Sequence, residues 1–215
     1  MTRTGAIRVF IADDHPIVRQ GLRRIVEDDS GFVISGETGD AAGLLTGLAT
    51  AATDIVLLDV SMPGGAFLET LQALREQHPT VRVLVLSVHP EDQWAVRALR
   101  AGASGYLTKD HSPGQLLEAI RRVYRGGKYV SPALAEQLAT QLGGDGKRAP
   151  HEQLSDREFE VMRRLGSGLT VSDIAAELGL SVKTVSTYRT RVLEKMAMES
   201  NADLVRYASR YGLIG

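Results

Sequence analysis

Residues 53–65 read TDIVLLDVSMPGG: four apolar residues run into Asp59, and the chain then breaks at Pro63, Gly64 and Gly65. A run this short and apolar, bounded by turn residues, reads as a strand buried on both faces. The question it poses is why the most hydrophobic strand ends on a carboxylate. Working outward, similar runs recur as IRVFIA (7–12), FVISGE (32–37), DIVLLD (54–59), VRVLVLS (81–87) and SGYLTK (104–109). Amphipathic helical patterns separate them, such as PIVRQGLRRIVED, AFLETLQALREQ, EDQWAVRALRAG and PGQLLEAIRRVYRG. Five alternating β/α units predict a five-stranded parallel sheet with helices on either side.

That is a doubly wound, flavodoxin-like α/β fold, in which ligands bind outside the carboxyl ends of the strands where the winding reverses. Beyond GGKYVSP the strands stop. PALAEQLATQL (132–142) predicts a short linking helix, and GGDGKRAPHEQ (143–153) has the composition of a linker. From Leu154 on, helical segments are expected over 155–166, 170–178, 182–196 and 201–212. The expected organisation is an α/β domain over 1–128, a linker with a short helix over 129–153, and a small all-α, four-helix domain over 154–215.

With 215 residues, two modest domains are expected. There is no Cys, so disulfide and thiolate chemistry are excluded and a reducing compartment is expected. MTRTGAIRVF is too short for a signal peptide and no apolar run approaches about 20 residues, so the expectation is a soluble cytoplasmic protein without a membrane partner. A formal charge of −1 excludes a generally basic nucleic-acid coat and leaves room for a local patch.

The strand ends carry the chemistry. The first ends in Asp13-Asp14, the third in Asp59, the fourth in Ser87 and the fifth in Lys109. Crowded carboxylates repel and raise one another's proton affinity unless a divalent cation neutralises them. Hard oxygen ligands, with no His or Cys among them, match Mg2+. Beside a cation and Lys109, Asp59 is a candidate nucleophile toward a phosphoryl group. Any one of these residues alone also reads as a turn, cap or surface residue; their shared register at one edge is what favours a site.

VFIADDHPIVRQGL, VLLDVSMPGG, VLVLSVHPED and AGASGYLTKD together resemble the receiver domain of two-component response regulators, across residues 7–128. The resemblance implies that Asp59 is the phosphoacceptor, phosphorylated by a sensor histidine kinase. It implies that Asp13, Asp14 and the backbone carbonyl of Ser61 join Asp59 around Mg2+, that Ser87 and Lys109 contact the phosphoryl oxygens, and that Tyr106 is the switch aromatic. Its ring would enter space vacated by Ser87, remodelling the surface of the fourth helix, fifth strand and fifth helix. Two positions depart from the family: Phe67 stands where Gly is frequent, and Asp110 follows Lys109 in place of the common Pro.

In the helical half, Ser155 and Glu158 form a possible capping box with Leu154 as its hydrophobic staple. Residues 170–196 read as helix, tight turn at Gly179, and second helix capped by Ser181. Val185, Tyr188, Val192 and Met196 mark that helix's packed face; Lys183, Ser186, Thr187, Thr190 and, at the edge, Arg191 lie opposite. With Thr184, Arg189 and Lys195 these form a basic, hydroxyl-rich segment suited to the major groove of double-stranded DNA. A solvated basic face is the alternative on charge alone. The segment resembles the LuxR-type helix-turn-helix of the NarL/FixJ class of response regulators, nearest the GacA, UvrY and BvgA branch in KTVSTYRTR. The resemblance implies a bacterial transcriptional regulator that binds DNA as a homodimer and sits on the nucleoid when bound. Leu204, Val205 and Ala208 are candidates for the dimer seam and equally for the domain's own core. A phosphohydrolase is disfavoured, because haloacid dehalogenase enzymes carry a second Asp two residues after the nucleophile, where this chain has Ser61.

Overall fold

A computed structural model of the chain describes residues 5–62, 67–87, 91–142 and 149–214. It separates into two compact units, residues 1–139 and 140–215. The first holds β1 (Ile7–Ala12), β2 (Phe32–Thr38), β3 (Ile55–Asp59), β4 (Arg82–Ser87) and β5 (Gly105–Thr108), all parallel, in the order β2-β1-β3-β4-β5. Its helices are α1 (Pro16–Glu27), α2 (Ala41–Thr50), α3 (Phe67–Gln77), α4 (Glu91–Ala101) and α5 (Pro113–Tyr124). Helices α1 and α5 pack together on one face of the sheet, while α3 and α4 pack against each other and α4 reaches β5. The winding is therefore the doubly wound, flavodoxin-like one. Helix α6 (Pro132–Leu142) follows where a linking helix is expected.

Alternation along the strands feeds one core with Val9, Ile11, Ile55, Leu57, Leu84, Leu86 and Leu107, which meet Leu116, Ala119, Ile120 and Val123 of α5. All five residues of β3 are buried. Packing β3 on both faces draws its terminal carboxylate, Asp59, into the interior at 2% exposure.

Helix α2 is absent from the helical patterns read above, because Gly43, Gly47 and Thr46 dilute its apolar stripe. Gly47 has a packing reason. A bulge shifts the β1–β2 register after Val9 so that Phe10 pairs with Gly36, and the Phe10 ring lies against both Gly36 and Gly47. A Cβ on Gly47 would stand 2.6 Å from Phe10 Cζ. Gly47→Val is expected to cost about 1–3 kcal/mol by overpacking, and Phe10→Leu in the same chain to recover much of it, as read by thermal melting.

The second unit contains α7 (Asp156–Gly166), α8 (Val171–Leu178), α9 (Val182–Lys195) and α10 (Asn201–Arg210), preceded by a 3-10 turn at Pro150–Gln153. The Ser155–Glu158 capping box forms, with Glu158 accepting from Ser155 N at 2.8 Å. Gly179 ends α8 in the left-handed region, φ 64°, and Ser181 Oγ accepts from Thr184 N at 3.0 Å to start α9. That αL residue and the cap after it set the sharp helix-turn-helix corner. Val185, Val192 and Met196 are buried and Tyr188 is half-buried, as the spacing predicts.

Candidate functional site

Strand β1 has β2 on one side and β3 on the other, so the winding reverses between β1 and β3. Ala12 pairs with Leu58, which places Asp13 and Asp59 side by side one residue beyond. On the far side, Ser87 pairs with Thr108, and Lys109 N donates to Ser87 O at 2.7 Å, aiming the lysine back across the edge. Its Nζ lies 2.6 Å from Asp13 Oδ2 and 3.0 Å from Asp59 Oδ1. Asp13, Asp59 and Ser87 are buried. Sequence-distant residues 13, 59, 87 and 109 are thus gathered at one edge.

The charges do not balance around Lys109 alone. Burial pushes the Asp59 carboxyl above its ordinary range, Lys109 only partly opposes this, and the charges of Asp13 and Asp14 add to the rise. Burial works against the Lys109 ammonium, but Asp13 and Asp59 together outweigh it and hold its pKa above the usual value. Asp59 Oδ2 is buried without a hydrogen-bond partner. An unsatisfied carboxylate oxygen beside a surplus of negative charge from Asp13 and Asp14 is the donor set a hard divalent cation takes, so the residues fit Mg2+.

The structure adds a group absent from the oxygen-only donor set expected above. His15 joins Asp13, Asp14 and Asp59 in a cluster whose ligand atoms all lie within 4.8 Å of one another. His15 Nδ1 stands 2.6 Å from Asp14 Oδ1. The signal was in DDHP itself, an imidazole directly after the acidic pair.

Other expected residues fall as follows. Ser61 lies exposed in the turn after β3. Tyr106 is fully buried on β5. Phe67 opens α3 with a buried side chain; the PGG loop before it lies outside the described residues. In place of the usual Pro, Asp110 accepts from Thr108 Oγ1, and His111 Nδ1 lies 2.9 Å from the same hydroxyl, so a side-chain cluster closes the turn after Lys109.

On α9, Lys183, Ser186, Thr187, Thr190 and Arg191 are exposed on one surface, and Thr184 is half-buried. Thr187 and Thr190 hydroxyls donate to the carbonyls of Lys183 and Ser186, leaving their oxygen lone pairs outward. Two cations have partners inside the unit. Arg189 Nε donates to Asn201 Oδ1 at 2.6 Å, and Lys195 Nζ bonds Glu158 Oε2 at 2.6 Å. Leu204 and Ala208 belong to the unit's own core, while Val205 is 38% exposed.

An acidic pocket with a half-buried lysine at the switch point of a doubly wound sheet, followed by a helix-turn-helix unit, defines a phosphoryl-receiver module joined to a DNA-binding module. Residues 9–121 match the response regulator receiver domain, and residues 152–208 match the bacterial regulatory proteins of the luxR family. The response regulator UvrY of Escherichia coli is 36% identical over 208 residues, 96% of this chain and 95% of that protein. The response regulator GacA of Pseudomonas viridiflava is 36% identical over 97% of this chain and 98% of its own. Among solved structures, RcsB of Salmonella typhimurium superposes with TM-score 0.78 at 26% identity, covering 97% of this chain and all of that one. RcsB bound to a promoter in the presence of the phosphomimetic BeF3− gives TM-score 0.72 at 28% identity, over 96% of this chain and all of that one. The chain belongs to the two-component response regulators that carry a receiver domain and a LuxR-type DNA-binding domain, and it is a DNA-binding transcriptional regulator.

Proposed function

We propose that Asp59 is the phosphoacceptor through which a sensor histidine kinase controls this regulator. The observation that carries the reading is the division of labour at Asp59: Oδ1 is held by Lys109, while buried Oδ2 has no partner. A lone pair on Oδ2 forms the new P–O bond as the donor's bond to phosphorus breaks, and the leaving group keeps that electron pair. Lys109 and the Ser87 hydroxyl then take the phosphoryl oxygens, whose extra charge and acceptors draw both groups inward. Asp13, Asp14, Asp59 and the Ser61 carbonyl would hold Mg2+, which supplies neutralisation of the carboxylates and of the transferring group. Tyr106 is the switch aromatic reporting the state of Ser87.

The receiver spans 1–128, a linker 129–153 and the DNA-binding domain 154–215. Phosphorylation favours a homodimer that places two α9 helices in successive major grooves of double-stranded DNA, which makes half-site spacing a geometric constraint. Lys183, Thr184, Ser186, Thr187, Thr190 and Arg191 face the DNA, bordered by Arg189 and Lys195. The protein acts in the bacterial cytoplasm, on the nucleoid when bound, without enzymatic turnover; none of its described helices is long and apolar enough to cross a membrane. Incubation with Mg2+ and acetyl phosphate is expected to add one phosphoryl group by intact mass, and Asp59→Ala to add none. Equal labelling of both proteins would remove Asp59 from the role.

A further inference from the structure

Strand β1 ends at Ala12, which pairs with Thr38 on one side and Leu58 on the other, so the buried Asp13 just beyond needs partners for its own polar groups. Asp13 N donates to Thr38 O at 3.1 Å. Its carboxylate accepts from His15 N at 2.8 Å through Oδ1 and from Lys109 Nζ at 2.6 Å through Oδ2. The carbonyl is taken by a side chain: Arg19 Nη1 donates to Asp13 O at 2.6 Å. Arg19 lies half-buried in the first turn of α1, where a side chain leans back over the residues that precede the helix. A Cβ on Gly39 would stand 3.3 Å from Arg19 Nη1 and 3.8 Å from Asp13 O, so glycine at this point leaves room for the contact. Arg23, one turn on, pairs with Glu37; Arg19 is directed instead to the backbone of the residue that opens the acidic pair.

A guanidinium at this place has two opposed effects on a dication in the pocket. Its charge repels the ion, an effect that water and salt screen for a group that is only half-buried. Its hydrogen bond fixes the turn that carries Asp13 and Asp14, and Mg2+ demands such order because it takes near-ideal octahedral geometry. Hydrogen bonds that orient the ligands of a metal typically contribute about 10–100-fold in affinity, so positioning outweighs repulsion. We propose that Arg19 is a positioning residue for phosphoryl transfer: by holding the Asp13 carbonyl it keeps the acidic pair in place for Mg2+ beside Asp59. This rests on the reading of Asp13, Asp14 and Asp59 as the Mg2+ site. Arg19 acts through the turn and not on the phosphoryl group. It therefore sets how much Mg2+ the receiver needs, and not the rate once the site is filled.

The test titrates the full chain with Mg2+ by calorimetry, for the wild type, Arg19→Met and Arg19→Lys, and follows acetyl phosphate labelling by intact mass across the same Mg2+ range. Arg19→Met keeps an apolar stem and removes both donor and charge. It is expected to weaken Mg2+ binding about tenfold, to raise the half-saturating Mg2+ for labelling by the same factor, and to leave the rate at saturating Mg2+ within about threefold of the wild type. Arg19→Lys, which restores a donor, is expected to recover most of the affinity. Unchanged Mg2+ affinity in Arg19→Met would make the contact merely structural, and tighter binding would mean that charge repulsion is all Arg19 contributes; either result overturns the role of Arg19 and leaves the metal site standing. If Arg19→Met does not melt cooperatively, Arg19→Gln, too short to keep the 2.6 Å contact, takes its place under the same outcomes. A wild type that binds no Mg2+ overturns the metal-site reading, and the role of Arg19 with it.

Discussion

Lys109→Ala is expected to lower the rate of phosphoryl transfer to Asp59 by roughly two orders of magnitude or more, the cost of removing a preorganised positive group from where charge develops. The same change destabilises the metal-free receiver. Lys109 is the described cation that touches both buried carboxylates, at 2.6 Å from Asp13 and 3.0 Å from Asp59. Breaking a buried ion pair by deleting one partner costs about 3–5 kcal/mol, because the other charge stays buried. Added Mg2+ should restore much of the stability and little of the rate, since the cation replaces the missing charge but not the phosphoryl contact. Chemical denaturation with and without Mg2+, alongside acetyl phosphate labelling, separates the two effects. A variant with full rate would show that Lys109 only holds the pocket together.

Glu158→Ala is expected to destabilise the DNA-binding unit by about 2 kcal/mol and to weaken DNA binding through the position of α9. Glu158 accepts from Ser155 N at the start of α7 and from Lys195 Nζ at the end of α9, so one buried carboxylate caps one helix and anchors another. Charge-assisted hydrogen bonds of this kind contribute about 1.5–3 kcal/mol, and the half-exposed lysine regains water when its partner is lost. Burial raises the Glu158 pKa, but Lys195 and Ser155 outweigh it and hold the carboxyl below the ordinary glutamate range. A depressed carboxyl contributes stability that is present above the unfolded pKa and lost as pH falls through the folded one. Wild-type melting should therefore weaken on acidification below the ordinary glutamate range, with a flatter profile for Glu158→Gln. Parallel profiles would assign the acid sensitivity elsewhere. Lys195→Met distinguishes anchor from DNA contact: an anchor changes stability and leaves the salt slope of DNA binding nearly unchanged, whereas a phosphate contact reduces the slope by about one.

The parallel sheet was readable because its strands are short, apolar and separated by helical periodicity, and the site because a doubly wound fold sends every strand end to one edge. What pattern could not supply is side-chain direction across long sequence separations. Glu158 and Lys195 are 37 residues apart, and nothing in α9's spacing tells a cation facing phosphate from one tied to a carboxylate. Helix α2 escaped because Gly43 and Gly47, the second of which admits Phe10, dilute its apolar stripe. His15 escaped because Mg2+ was expected from oxygen donors alone, while the turn after β1 brings Nδ1 to the same oxygens. Val205 remained exposed while Leu204 and Ala208 went inward, a division their common helical face did not announce.

On the proposed function, the charge state of Asp59 sets DNA affinity. The most direct test is fluorescence anisotropy of the full-length protein on a duplex from its own promoter region, at fixed salt, with and without BeF3− and Mg2+. At least tenfold tighter binding with BeF3− is expected for the wild type, and no change for Asp59→Ala. Equal affinity with and without BeF3− in the wild type, or the same gain in Asp59→Ala, would contradict it.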